Sequence, residues 1–99
     1  MLLAFLQLGC STGNSYRYKI GVSQCVGGPW RDKVNNEMLS AQHLYDTDVE
    51  VTIVDANNNN ARQCEQIDSM VNSGVDLLIV SPNDYSALDT SLQRAKEKQ

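Results

Sequence analysis

The chain predicts an α/β fold: three layers built on a parallel sheet of three strands in the order 2-1-3. Extended apolar runs alternate with helical periodicity three times between Tyr18 and Asp84. The strand candidates are YKIGVS (18–23), VEVTIV (49–54) and VDLLIV (75–80). Each runs into a loop of polar or aromatic side chains: QCVGGPWR, DANNNN and SPND. In a parallel sheet all three loops emerge at one edge, where open α/β sheets bind ligands.

The first loop turns at Gly27-Gly28 and enters a helix at Pro29 or Trp30, since proline suits a first helical turn. That helix runs to Tyr45. Val34, Met38, Ala41 and Tyr45 form its apolar stripe, with Met38 and Tyr45 expected in the core. Asp32 lies in the first turn, where the helix dipole favours an anion. The second strand alternates Val49, Val51 and Ile53 against Glu50 and Thr52, the pattern of a strand with one wetter face at a sheet edge.

The second helix is expected to open with a capping box, Asn60 bonding the Gln63 backbone and Gln63 reaching back. Cys64, Ile67 and Val71 turn inward, and Gly74 closes the helix in the left-handed conformation. The third strand, Leu77-Leu78-Ile79-Val80, is continuously apolar, which predicts cover on both faces. Asp84 caps the third helix, and Leu88, Leu92 and Ala95 face inward. The order 2-1-3 leaves this most apolar strand at an open edge, a template for association. The 99 residues therefore read as a fragment of a larger protein.

The bulk properties suit one soluble domain: 41% apolar and 20% charged residues, with a net charge of −4. Four Lys and four Arg are scattered, which argues against a nucleic-acid partner. Residues 1–15 read as a truncated leader and tether. MLLAFLQLG is apolar but too short to span a bilayer, and its Gly-Cys junction resembles a lipoprotein signal that would be lipidated at Cys10. The remaining cysteines, Cys25 and Cys64, suit buried free thiols or, in an oxidising compartment, a disulfide. No zinc spacing is present.

The candidate ligand contacts are Trp30, Arg31, Gln24, Asn57 and Ser81. An indole at a loop tip can stack on the apolar face of a sugar ring, unless it packs under the first helix. A guanidinium beside it offers several fixed donors to hydroxyls. Asn57 is assigned to the ligand and Asn60 to structure. Ser81 ends the third strand and can point at the same cleft. His43 reads as a surface histidine. No GxGxxG, no GxxxxGK[ST] and no paired acids, triad or metal cluster occur, so the sequence predicts a binding domain without cofactor, metal or catalytic residue.

These same residues carry a resemblance. IGVSQC, the following PWRDKVNNEM and VDANNNNARQCEQIDSMVNSGVDLLIVSPND resemble the N-terminal lobe of type I periplasmic sugar-binding proteins. The resemblance covers Tyr18 to Gln99 and implies a Rossmann-like, three-layer parallel sheet of which residues 16–99 are a partial N-terminal lobe. Within that family IGVSQC, the WR pair and DLLIVSPN look like the periplasmic sensor domains of hybrid two-component histidine kinases. The resemblance implies a carbohydrate ligand, a second lobe outside these residues, a transmembrane kinase partner and a periplasmic, membrane-attached location. Arg31 stands where transport-type binders carry a second aromatic. The competing class is a substrate-binding lipoprotein of a sugar transporter.

Overall fold

The computed structural model describes residues 16–45 and 48–98. The leader, the tether and Cys10 lie outside the described residues. The elements follow the predicted alternation: β1 (Tyr18–Gln24), α1 (Pro29–Leu44), β2 (Val49–Asp55), α2 (Asn60–Asn72), β3 (Leu77–Ser81) and α3 (Tyr85–Glu97). All pairing is parallel and the order is β2-β1-β3, the predicted 2-1-3.

The register decides which residues share a face. Val51, Ile20 and Leu77 stand in one row, and Ile53, Val22 and Ile79 in another two residues on. Residues between these rows point the other way. That second face meets α2: the Ser23 hydroxyl bonds Gln63, and a β-carbon placed on Gly21 would fall 2.7 Å from the Met70 sulfur. Glycine at 21 is what lets α2 approach this closely. The first face meets α1, which lies over β2, while α2 and α3 pack together on the far side. Ala56, Ile67 and Leu88 are fully buried, with Val22 and Met70 nearly so. Arg94 ties α3 to α2 through two bonds to Asp68, of 3.1 and 2.7 Å. The edge strand β2 gives the Val51 N–H to the Gln42 side chain of α1 at 2.6 Å.

Four expectations are corrected. The cap of α2 is Asn59, not Asn60: Asn59 has the extended backbone a cap needs, and its side chain accepts the Arg62 N–H at 2.9 Å. Gln63 does not reach back, because its amide is buried and bonded elsewhere. The strand ladder of β3 begins at Leu77 rather than Val75. Asp76 donates its N–H to the Lys19 carbonyl, but the Lys19 N–H goes to the Asp76 carboxylate at 2.8 Å instead of to backbone. The two-sided cover predicted for β3 is one-sided among the described residues. Leu78 and Val80 are half-buried, whereas Leu77 is 51% and Ile79 42% exposed, because α1 sits over β2. In α1, Val34 and Met38 are half-buried, but Ala41 is exposed and Tyr45 is 57% exposed, having left the helix as its C-cap.

Other expectations hold. Asp84 caps α3 by accepting the Ser86 and Ala87 N–H groups. Gly74 takes φ +87 just past the end of α2, a conformation that penalises any β-carbon. His43 is exposed. Cys25 and Cys64 are half-buried free thiols, not a disulfide.

Candidate ligand-binding rim

The rim is built from the last residue of each strand. Asp55, Gln24 and Ser81 are register partners, so they stand side by side at the C-terminal edge of the sheet. The three loops beyond them are bonded to one another. The Asn58 N–H donates to the Cys25 carbonyl at 2.7 Å, joining the second loop to the first. Gly27 leaves only enough room for the Asp55 carboxylate, since a β-carbon there would lie 2.9 Å from its oxygen. The Asn83 side chain donates to the Asn60 Oδ1 at 2.6 Å, joining the third loop to the second.

Trp30 sits in the first turn of α1 and is 67% exposed, so it does not pack under the helix. Its ring centroid lies 5.0 Å from the Arg31 guanidinium carbon, a cation–π contact. Arg31 Nη2 donates to the Ser81 hydroxyl and approaches the Cys25 sulfur at 3.8 Å. Arg31 therefore bridges the first loop to the end of β3. A guanidinium has five donors, so several remain for a ligand. Asn57 is exposed at φ +51, a left-handed conformation that asparagine tolerates, and the Asp55 carboxylate holds its N–H at 2.7 Å. Asn60 spends its oxygen on Asn83, as a structural residue would.

Four of the five predicted contacts, Trp30, Arg31, Asn57 and Ser81, thus come to the open rim. Gln24 does not: it is 2% exposed and exchanges amide bonds with Asn35 of α1. Register places it correctly, but its side chain turns beneath the rim toward the helix. Sequence reasoning missed Asn35, although it lies one turn after Arg31 and so shares its helix face. It also missed Gln63 and Asn83, whose partners are remote in sequence.

The arrangement offers an aromatic face, a guanidinium, an amide and a hydroxyl on a shelf open on one side. Groups of these kinds can complement a polyhydroxylated molecule with an apolar ring face. No group of metal-ligating side chains occurs among the described residues. A groove of about 800 Å³ lies elsewhere, between the outer edge of β3 and α3, lined by Leu77, Val80, Tyr85 and Leu92 among others. No described helix is long and apolar enough to cross a membrane.

Comparison with known proteins agrees with this fold. The model of a family described as periplasmic binding protein domain matches residues 20–99. The chain is 36% identical over 86 residues to the ribose import binding protein of Bacillus subtilis (strain 168), covering 86% of this chain and 28% of that protein. It superposes on the fructose binding periplasmic domain of a hybrid two component system with a TM-score of 0.77 at 36% identity, covering 82% of this chain and 27% of that one. The chain thus spans little more than a quarter of each relative's length.

Proposed function

The chain belongs to the periplasmic binding protein domain family, and from that premise we propose that its rim is one wall of a sugar-binding cleft in the periplasmic sensor of a hybrid two-component signalling protein. The observation that carries this reading is the Arg31 to Ser81 bond beside an exposed indole, which joins residues 50 apart in sequence into one polar shelf. A carbohydrate lays its C–H face on Trp30 and gives its hydroxyls to Arg31, Asn57 and Ser81. Gln24 serves from below, holding Asn35 and with it the first turns of α1.

The opposing wall comes from a second lobe outside these residues. Sugar binds the closed arrangement of two lobes better than the open one, and that difference in affinity is all a ligand can use to shift the balance. In the sensor reading, closure is relayed across the membrane to a kinase. The chain itself binds and does not catalyse. Membrane attachment through Cys10 belongs to this proposal and would keep the domain at the periplasmic face.

A second reading, the binding lipoprotein of a sugar transporter, draws on the equal identity to an import binding protein. Calorimetry of the full-length protein against D-fructose, D-ribose and a panel of other monosaccharides tests the common part. Saturable heat with at least one sugar is expected, and silence across the panel overturns it. A sugar-dependent change in autophosphorylation separates sensor from importer.

A further inference from the structure

One side chain is completely buried beneath the rim and polar. Gln63, on the first turn of α2, has no exposed surface, and every hydrogen bond of its side chain leaves its own helix. Its Nε2 donates to the Ser23 hydroxyl at 3.0 Å and to the Ser81 carbonyl at 3.1 Å. Its Oε1 accepts the Asn83 N–H at 3.1 Å. Asn83 in turn donates from Nδ2 to Asn60 Oδ1 at 2.6 Å and to the Asn58 carbonyl at 3.4 Å. One amide therefore links the ends of β1 and β3, the turn that follows β3 and, through Asn83, the asparagine loop after β2.

We propose that Gln63 is the positioning residue of the rim: its buried amide fixes the spacing at which the ends of β1 and β3 and the loop after β2 present their side chains to a ligand. The geometry requires an amide. The Ser81 carbonyl can only accept and the Asn83 N–H can only donate, so their common neighbour must offer both functions from one planar group. A carboxylate would turn an acceptor toward the Ser81 carbonyl. A thioether would strand both groups without water, and a buried polar group left unpaired is costly. Ser23 alone can adapt, because a hydroxyl rotates to donate or accept. A residue kept only to fill volume would need none of these bonds. The role in ligand recognition rests on the sugar-binding reading above; the positioning role does not.

The test is amide hydrogen exchange on the full-length protein without sugar, comparing the native chain with Gln63→Met, which keeps the volume and removes the bonds. Exchange at Asn83 and Asn58 should quicken by about tenfold or more, while the paired amides of Ile20 to Val22 in β1 keep their protection. Uniform acceleration, or no change, makes Gln63 an ordinary core residue and overturns the proposal. Should Gln63→Met not fold, Asn83→Ala probes the same network from the surface: it should release Asn58 and Asn59 and leave β1 unchanged, and no effect there overturns the proposal. Titration with D-fructose and D-ribose is a separate arm. If the native protein binds one of them, Gln63→Met should weaken it at least about fivefold with Trp30 still at the rim, and equal affinity refutes the positioning role. If the native protein binds neither, the exchange result still decides Gln63, and only the assignment of those sugars falls.

Discussion

Replacing Trp30 by alanine isolates the contact on which the sugar reading depends most. A buried tryptophan contributes on the order of 250 Å². At 67% exposure, about 170 Å² of Trp30 is open to solvent. Arg31 already attends one region of the ring from 5.0 Å, so a sugar can cover roughly half of the open surface, about 80 Å². At about 25 cal/mol per Å² this is ~2 kcal/mol, a loss of roughly 30-fold in affinity at the upper end. Ordering the sugar against the ring offsets part of it, so the expected range is about 1–2 kcal/mol. The assay is calorimetry of the full-length protein with whichever monosaccharide binds it, alongside a thermal melt. The melt should barely move, because an indole exposed this far contributes little to the core. Native affinity in the variant would refute the stacking argument; a large fall in melting temperature would show that the side chain supports the fold instead.

Other consequences are checked by denaturant titration and chromatography. Ile67→Ala, at a fully buried position on α2, should cost about 2–5 kcal/mol of unfolding free energy. Asn59→Ala removes the cap of α2 and should cost about 1 kcal/mol. Gly74→Ala puts a β-carbon on a residue at φ +87 and should cost about 1 kcal/mol, although open space surrounds it. The 99-residue chain expressed alone should self-associate through β3, and Ile79→Lys should reduce this in size-exclusion chromatography. A monomeric native chain with a cooperative melt would contradict that expectation.

The architecture was legible because short-range patterns carried it. The Gly74 stop and the Asp84 cap are local rules, and each is obeyed; the strand at Val49 to Ile53 forms as its pattern predicts, although Glu50 is half-buried and only Thr52 there is exposed. Convergence of the loops was legible too, since parallel pairing leaves them no other edge. What escaped was set by distance along the chain. Gln63 reads equally well as a capping glutamine until Ser23 and Ser81 arrive from 40 and 18 residues away. Gln24 reads as a rim contact until Asn35 turns toward it. Leu77 and Ile79 look like two-sided core in a run of four apolar residues, and only the placement of α1 over β2 shows one face uncovered. Asn59 and Asn60 are indistinguishable as caps by composition; the backbone angle of Asn59 decides.

All three helices begin at the same end of the sheet, immediately after the strands that feed them. Their peptide dipoles therefore point the same way, and each start carries the equivalent of about half a positive charge. The carboxylates of Asp32, Asp55 and Asp84 stand at that same end, where those dipoles favour an anion, and Arg31 stands among them.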